Sequence, residues 1–208
     1  KESFIIEEQI VDRISDKAEV EVSNYCLSVE QSKTLINIKD QLEEKEVVLL
    51  QGITSSGKTL IYIDLIKEQL AKGNQVLFLL PEIALTAQLM LRLEKSLGNI
   101  AVYHSKYNNA ERVEIWNKVL KNETKIVLGA RSSVFLPFQK LGLIIVDEEH
   151  DASYKQNEPA PRYQCRDAAI YLATLNHAKV VLGSATPSIE SYTNAQTGKY
   201  GLANLYHR

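Results

Sequence analysis

Short apolar runs alternate along this chain with longer segments in which apolar residues recur every three or four positions. A run without polar residues is typical of a strand covered on both faces, whereas a spacing of three to four residues is typical of an amphipathic helix. The runs predict strands at 47–52, 75–80, 100–103, 125–129, 141–146 and 178–183. The periodic segments predict helices at 29–44, 58–72, 83–97, 110–121 and 164–176.

Apolar strands that alternate with helices predict an α/β fold, a mostly parallel sheet with helices on both faces. We expect one domain at 27–208, because the alternation begins with a helix that Ser28 can cap. Residues 1–26 are acidic and only faintly periodic, which favours a linker from an upstream domain. The first residue is Lys1 rather than Met, so we expect the chain to be a piece of a longer protein.

The composition argues against a membrane protein and against a zinc protein. Hydrophobic residues make up 45% of the 208 positions and charged residues 24%, which is ordinary for a globular domain. No apolar run approaches the ~20 residues that span a bilayer. Cys26 and Cys165 lack metal-ligand spacing, so we expect no structural zinc and a reducing, cytoplasmic location.

The net charge of −2 does not by itself indicate a nucleic-acid-binding protein. Residues 1–26 hold three basic and seven acidic residues, a net of −4, so the rest of the chain carries about +2. Any binding of DNA must therefore depend on a local surface rather than on overall charge.

The sequence GITSSGKT follows the first apolar run and has the G-x-x-x-x-G-K-T pattern of a phosphate-binding loop. Its two glycines allow backbone N–H groups to turn toward phosphate oxygens. Lys58 supplies a positive charge for the β- and γ-phosphates, Thr59 a hydroxyl ligand for Mg²⁺, and the next helix points its positive end at the same anion. The pattern predicts binding of ATP and Mg²⁺ through Gly52, Thr54, Ser55, Ser56, Gly57, Lys58 and Thr59.

Asp147 and Glu148 directly follow the apolar run at 141–146. In a P-loop enzyme, an aspartate at the carboxyl end of a buried strand holds Mg²⁺. The glutamate beside it is placed to activate the attacking water as a general base. With Lys58 as the third catalytic residue, these two carboxylates predict an ATP hydrolase rather than only a nucleotide-binding protein.

Two small hydroxyl residues, Ser184 and Thr186, follow the last predicted strand. At a strand end beside the phosphates they could sense the γ-phosphate and relay its loss. The alternative is that one of them caps a helix that starts at Pro187.

Five segments resemble, in this order, the motor motifs of superfamily 2 helicases: GITSSGKT, LLPEIALT, GARSSVF, VDEEH and GSATPS. The DEEH sequence and the following DASYKQNEPAPRYQCRDAA resemble more particularly the PriA family of bacterial replication-restart helicases. The resemblance covers about 27–206 and implies the first RecA-like P-loop NTPase lobe of the motor. The DNA-binding domains, zinc module and second motor lobe of that family have no counterpart in this sequence.

The resemblance implies further contacts. Gln31 looks like the residue that reads adenine, with an exposed glutamine at a helix start as the alternative. Pro81 and Thr86 lie in one motif that contacts the DNA backbone, and Arg131 and Ser132 lie in the next. Arg131 could instead be a surface arginine that caps a helix. Ser55 and Leu60 stand where Gly and Glu are expected.

Residues 151–166 are rich in aromatic and basic side chains and poor in aliphatic ones. This composition suits stacking on bases and pairing with phosphates, and the resemblance identifies an aromatic-rich loop that couples DNA contact to hydrolysis. A connection without core residues is usually functional or disordered, so we expect poor order without DNA. A mobile surface loop with incidental tyrosines is the alternative. The candidate DNA contacts here are Tyr154, Lys155, Gln156, Arg162 and Tyr163, with Arg166 at its end.

The resemblance implies an ATP-dependent DNA helicase, 3′ to 5′ in polarity, that remodels stalled or forked DNA and promotes primosome reassembly. The implied partners are forked or single-stranded DNA, the second motor lobe, the zinc module, single-strand-binding protein and primosome proteins, with no membrane. The implied location is the bacterial cytoplasm, at the nucleoid. Because the second lobe of such motors supplies the arginine finger, we expect the isolated fragment to be nearly inactive.

Two other functions compete with a motor. A nucleotide-gated module that binds DNA forks, with hydrolysis secondary, would not need a water-activating base, and Glu148 argues against it. A small-molecule kinase would need an arginine-rich lid, but the region after Thr186 holds only Arg208.

Overall fold

A computed structural model describes residues 26–81, 87–104 and 108–206. The predicted linker lies outside this part of the chain apart from Cys26, which is exposed. The helices are α1 (Val29–Glu44), α2 (Lys58–Ala71), α3 (Ala87–Leu97), α4 (Asn109–Leu120), α5 (Cys165–Asn176) and α6 (Ile189–Gln196). The strands are β1 (Val47–Gly52), β2 (Gln75–Leu79), β3 (Ala101–Tyr103), β4 (Ile126–Gly129), β5 (Leu141–Asp147), β6 (Lys179–Ser184) and β7 (Gly201–Leu205). Short 3₁₀ helices, Arg131–Phe135 and Ala152–Tyr154, follow β4 and β5.

The seven strands form one parallel sheet in the order β3-β4-β2-β5-β6-β1-β7. The predicted α/β fold with a parallel sheet is confirmed, and the six predicted strands lie within one residue of their expected bounds. A parallel sheet collects the carboxyl ends of its strands at one edge, where ligands of open α/β sheets bind. The central neighbours β5, β6 and β1 therefore present their last residues side by side.

Each face of the sheet is covered by its own hydrophobic core. Helices α1, α2 and α3 cover one face, where Ile61 and Phe78 are both buried. Helices α4, α5 and α6 cover the other, where Leu77 and Ala169 are buried. Neighbours in one strand, such as Leu77 and Phe78, belong to different cores because successive side chains point to opposite faces. Coverage on both faces explains why these strands read as continuous apolar runs.

Helix α1 protects the edge strand β7. Its first turn is closed by a capping box between Ser28 and Gln31, so the predicted cap is confirmed. Further along, Gln41 Nε2 donates to the Leu202 carbonyl at 2.9 Å, and Gln41 Oε1 accepts from the Leu202 N–H at 2.8 Å. One side-chain amide thus satisfies backbone groups that a further strand would otherwise pair.

The apolar pattern did not predict α6 and β7. Strand β7 has the sequence GLANL, in which Gly201 and Asn204 interrupt any apolar run, and its pairing with β1 makes it a strand. Helix α6 has only eight residues, and its N-cap is Ser188, whose side chain accepts from the Ser191 N–H. The alternative that Ser184 or Thr186 caps this helix is therefore wrong.

A buried carboxylate, Glu149, fastens α6 to the end of β5. Its side chain has no solvent exposure and accepts hydrogen bonds from Ser188 N at 2.7 Å and from the hydroxyls of Ser188 and Ser191 at 3.0 and 2.9 Å. Arg166 Nη1 donates to the same carboxylate at 3.0 Å. Arg166 is itself buried, so the expectation that it pairs with DNA phosphates is wrong: its charge is used inside the fold.

Arg166→Ala should lower the free energy of unfolding by about 3 kcal/mol, because it leaves the Glu149 carboxylate buried without its charged partner. The matched control Lys118→Ala breaks an exposed pair with Glu114 and should change it by less than about 1 kcal/mol. Urea unfolding at neutral pH measures both. Equal effects in the two variants would show that Glu149 does not depend on Arg166.

Candidate functional site

The phosphate-binding loop connects β1 to α2 through two residues with left-handed backbone angles. Gly57 has φ +89° and is the N-cap of α2, which has no side-chain capping bond. Ser55, at the position where Gly was expected, has φ +64° and therefore carries a strain that glycine would avoid. The first N–H groups of α2 point out of the helix, so the loop presents backbone donors suited to an anion.

Lys58 lies buried beneath this loop. Its Nζ donates to the Gly52 carbonyl at 2.9 Å and lies 3.9 Å from Glu148 Oε1. Ser56 Oγ, also buried, has no hydrogen-bond partner among the described residues. A buried hydroxyl without a partner and a buried ammonium group at one loop fit a polyanionic ligand, because each has hydrogen-bonding capacity that phosphate oxygens can use.

Gln31 is buried against the phosphate-binding loop, so the alternative of an exposed glutamine is wrong. Its Nε2 donates to the Ser56 carbonyl at 3.0 Å, and its Oε1 accepts from the Ser28 N–H at 2.9 Å. A Cβ atom on Gly57 would lie 2.3 Å from Gln31 Nε2. This close approach and the positive φ both require glycine at this position. The start of α1 is therefore fixed to the phosphate-binding loop, and an adenine contact by Gln31 stays a prediction.

Asp147 ends β5 and is held by two tyrosine hydroxyls. Tyr62 Oη donates to the carboxylate oxygen Oδ1 at 2.8 Å, and Tyr154 Oη donates to the main-chain carbonyl at 2.7 Å. Tyr62 belongs to the core on one face of the sheet and Tyr154 to the core on the other. Burial raises the pKa of Asp147 from 3.8 to about 6, against the Tyr62 hydrogen bond, which lowers it, while the Glu148 charge raises it further.

Glu148 and His150 follow Asp147 in a tight turn. Glu148 has φ +49°, in the left-handed region, and its Oε2 lies 3.7 Å from His150 Nδ1. Ser184 Oγ lies 2.8 Å from His150 Nδ1, and Thr186 Oγ1 lies 3.3 Å from His150 Nε2. His150 thus joins the end of β5 to the end of β6. Sequence reasoning missed it, although its place at the close of the DEEH run was a usable signal.

Residues 151–166 form a structured hairpin, contrary to the expected poor order. A 3₁₀ turn begins after Asp151, Lys155 pairs with Gln164 in an antiparallel bridge, and Gln156 N donates to the Tyr163 carbonyl at 2.8 Å. We call this segment the coupling hairpin. Its order comes from its anchor, Tyr154, which is only 1% exposed.

The burial of Tyr154 overturns its assignment as a residue that stacks on bases. The segment was predicted to contain no core residue, but this tyrosine is one, and sequence composition alone does not distinguish a buried tyrosine from an exposed one. Lys155 and Arg162 are exposed, whereas Gln156 and Tyr163 are partly buried. These four side chains stay candidates for contact with a nucleic acid.

Arg131 holds the coupling hairpin rather than capping a helix. Its Nη1 donates to the Ser153 and Lys155 carbonyls at 2.9 and 2.7 Å, on either side of Tyr154. The Arg131 carbonyl accepts from Cys165 Sγ at 3.4 Å. The alternative of a helix-capping surface arginine is therefore wrong, and contact with a phosphate stays a prediction.

A groove of about 650 Å³ runs along the same edge of the sheet, beside β2 and β4. Arg131 and Ser132 line one side, and Gln156 and Tyr163 of the coupling hairpin line another. The Tyr163 ring makes an edge-to-face contact with exposed Phe135, 4.9 Å between centroids. Pro81, next to the groove residue Leu80, is buried, and Thr86 lies outside the described residues. Four of the predicted DNA contacts, Arg131, Ser132, Gln156 and Tyr163, thus line one groove on this edge of the sheet.

Neither a metal-binding cluster nor a membrane-spanning helix occurs among the described residues. These residues contain no group of three or more His, Cys, Asp or Glu side chains placed to hold a metal ion. A Mg²⁺ site of a nucleotide enzyme does not require such a group, because one or two protein ligands join phosphate oxygens and water. In the same part of the chain, every helix is too short or too polar to cross a bilayer.

The chain is similar to several curated proteins named replication restart protein PriA. The chain is 44% identical over 211 residues to replication restart protein PriA of Bacillus subtilis, an alignment that covers 100% of this chain and 26% of that protein. It is 46% identical over 179 residues to replication restart protein PriA of Rickettsia conorii, covering 86% of this chain and 27% of that protein. The chain therefore spans about a quarter of the length of these relatives.

Comparison with solved structures supports the RecA-like fold. RecG bound to a three-way DNA junction matches with a TM-score of 0.64 and 21% identity, covering 89% of this chain and 24% of that one. The Mycobacterium smegmatis helicase Lhr, bound to single-stranded DNA and AMP-PNP, matches with a TM-score of 0.59 and 19% identity, covering 84% and 25%. At such identities the likeness shows the fold alone.

The family model of the DEAD/DEAH box helicases matches residues 30–195. These residues include the phosphate-binding loop, the Asp147–His150 turn and the Ser184–Thr186 segment, which the sheet brings to one edge. The match spans most of the chain, and the chain therefore belongs to the DEAD/DEAH box helicase family.

Proposed function

We propose that this chain is the first, ATP-binding motor lobe of a DNA helicase that acts in replication restart. One observation carries the proposal: a phosphate-binding loop, an aspartate–glutamate pair and a histidine-linked serine and threonine lie at the ends of adjacent strands β1, β5 and β6. The names of the relatives give the biological setting. The resemblance adds a 3′ to 5′ polarity and forked or single-stranded DNA as the substrate.

ATP binds, in this proposal, with its phosphates in the loop 52–59. Backbone N–H groups and the start of α2 surround the phosphates, and Lys58 exchanges its contact with Glu148 for one with phosphate oxygens. Ser56 Oγ gains a hydrogen-bond partner, which it lacks among the described residues. Gln31, at the side of the loop, offers its remaining amide hydrogen to adenine.

Thr59 and Asp147 would hold Mg²⁺, which supplies charge neutralisation at the β- and γ-phosphates. Glu148 then acts as the general base for water, because the exchange at Lys58 leaves its carboxylate free to accept a proton. His150 lies within hydrogen-bonding distance of Ser184 and Thr186. It therefore transmits the change in the contacts of Glu148 to the end of β6. Loss of the γ-phosphate is sensed through these hydroxyls.

DNA binds along the groove beside β2 and β4 and over the coupling hairpin. Arg131 and Ser132 contact the backbone, with Pro81 and Thr86 in the neighbouring motif, and Lys155, Gln156, Arg162 and Tyr163 contact phosphates and bases. Tyr154 transmits the contact, because it lies between the two carbonyls that Arg131 holds and donates to Asp147. Movement of the hairpin therefore reaches the Mg²⁺-binding aspartate through one hydrogen bond.

The complete helicase would place this lobe beside a second motor lobe and a zinc module, in the bacterial cytoplasm at the nucleoid. Single-strand-binding protein and primosome proteins are its further partners. The competing function, a nucleotide-gated module that binds forks without needing hydrolysis, requires no base at Glu148. ATP turnover with and without forked DNA separates the two.

Lys58→Ala in the complete helicase should abolish ATP turnover and unwinding of forked DNA, because the phosphates lose their buried positive charge. The free energy of unfolding without nucleotide should change by less than about 1 kcal/mol, since Lys58 contacts mainly the loop itself. Lys72→Ala, at the exposed far end of α2, is the matched control and should leave turnover unchanged. Unwinding that persists in Lys58→Ala would contradict the proposed motor.

Asp147→Asn should raise the melting temperature of the nucleotide-free protein in EDTA, because partial burial makes the ionised form of Asp147 unfavourable. The sign follows from the pKa, which is about 6 in the fold against an ordinary 3.8: protonated Asp147 favours the fold, and this contribution is lost as the pH rises. The gain should be about 1–3 kcal/mol above pH ~7 and should shrink as the pH falls from about 6 to about 4. Melting curves across this range measure it, and a gain independent of pH would contradict the burial argument.

Lys155→Ala combined with Arg162→Ala should reduce the stimulation of ATP turnover by DNA about ten-fold or more, because both exposed cations lie on the proposed DNA surface. The loss should be smaller at low salt, where the remaining cations bind DNA more tightly. Lys179→Ala, at the opposite edge of the sheet, is the matched control. Equal stimulation of the double variant and the wild type would remove the coupling hairpin from the DNA surface. Tyr154→Ala is unsuitable here, since it opens a cavity in the core.

A further inference from the structure

We propose that Tyr62 is the positioning residue for the Mg²⁺-binding aspartate, a role that lies outside the phosphate-binding loop and the acidic turn. The inference rests on the proposed function of Asp147. Tyr62 lies on α2 one turn after Lys58, so both side chains leave the same face of the helix toward the carboxyl edge of the sheet. Its hydroxyl donates to Asp147 Oδ1 at 2.8 Å.

The ring of Tyr62 has no freedom to move away from this contact. The residue has no solvent exposure, and its ring packs edge-on against Phe78 with 5.4 Å between centroids and 73° between planes. A side chain with two torsions that is fixed by packing delivers its hydroxyl to a single place. The carboxylate therefore meets a fixed donor rather than a mobile one.

The neighbouring strand leaves room for the hydroxyl. Gly183 of β6 lies directly opposite Asp147 in the sheet. A Cβ atom at this position would lie 1.7 Å from Tyr62 Oη and 2.9 Å from Asp147 Oδ1. Any residue other than glycine would thus push the hydroxyl out of reach of the carboxylate. Residues from three elements, α2, β5 and β6, thus determine the hydrogen bond between Tyr62 and Asp147.

A tyrosine hydroxyl suits this task better than a cationic side chain. Lys or Arg at this place would also fix the carboxylate, but its charge would repel a divalent cation. The neutral hydroxyl has one proton, engages one carboxylate oxygen and leaves the negative charge in place. Such partners of a metal-binding carboxylate set its orientation, and their loss weakens metal binding about 10- to 100-fold.

The test measures how strongly Mg²⁺ improves nucleotide binding in the complete helicase. Fluorescent mant-ADP is titrated in EDTA and at a series of Mg²⁺ concentrations, for the wild type and for Tyr62→Phe, which keeps the ring and removes only the hydroxyl. We expect the affinity in EDTA to be unchanged within about two-fold, and the half-saturating Mg²⁺ concentration to rise about ten-fold. ATP turnover should recover at high Mg²⁺.

Two further variants make the result specific. Tyr103→Phe removes another buried tyrosine hydroxyl, which accepts from Arg112 at 3.1 Å on an edge strand, and should leave the Mg²⁺ dependence unchanged. Gly183→Ala should raise the Mg²⁺ requirement as Tyr62→Phe does, because it displaces the hydroxyl. If melting curves show that Tyr62→Phe is unfolded, Gly183→Ala replaces it as the test variant.

The outcomes separate this inference from the proposed function. In one outcome, the wild type binds mant-ADP more tightly with Mg²⁺, and Tyr62→Phe shows the same Mg²⁺ dependence as the wild type. This outcome would overturn the role of Tyr62 but not the magnesium site. A wild type whose mant-ADP binding does not respond to Mg²⁺ would overturn the magnesium site and, with it, this inference. Equal losses in Tyr62→Phe and Tyr103→Phe would make the effect a general cost of removing a buried hydroxyl.

Discussion

Parallel pairing of β5, β6 and β1 is the constraint on which the rest of the site depends. Asp147 lies opposite Gly183 and Gln51 lies opposite Ser184, so three strand ends meet at one edge in fixed register. A slip of one residue would turn each side chain to the other face of the sheet. Residues far apart in the chain therefore keep their relative positions without direct contact, because two hydrophobic cores hold the strands from either side.

Several residues at this edge of the sheet are held in energetically unfavourable states. Partial burial raises the pKa of Asp147, and Ser55 and Glu148 have left-handed backbone angles. Such costs persist because the surrounding fold determines these positions strongly, and they are typical of sites that bind charged ligands. By contrast, the charge of Glu149, the next acidic residue, is fully satisfied by Arg166 and two serines. Adjacent glutamates thus differ: Glu149 is enclosed by hydrogen-bond donors, whereas Glu148 is partly exposed and has a strained backbone.

The two tyrosines at Asp147 connect separate parts of the protein to one carboxyl group. Tyr62 belongs to the helix of the phosphate-binding loop, and Tyr154 belongs to the coupling hairpin that Arg131 holds. Each approaches from a different face of the sheet. A displacement on the groove side can therefore reach the nucleotide side through packed, hydrogen-bonded groups rather than through a change of fold.

The sequence by itself determined the α/β class, six of the strands and the gathering of Lys58, Asp147 and Glu148 at one edge. These follow from local patterns, since apolar runs, a glycine loop and polar strand ends are read within a few residues. Only the tertiary structure decided that Tyr154 and Arg166 are buried, that GLANL is a strand, and that Tyr62 and His150 reach the site. Composition does not separate a tyrosine that stacks on a ligand from one that anchors a core. That difference is decided by which distant strands and helices surround the side chain, because burial and partner choice are properties of the packed fold.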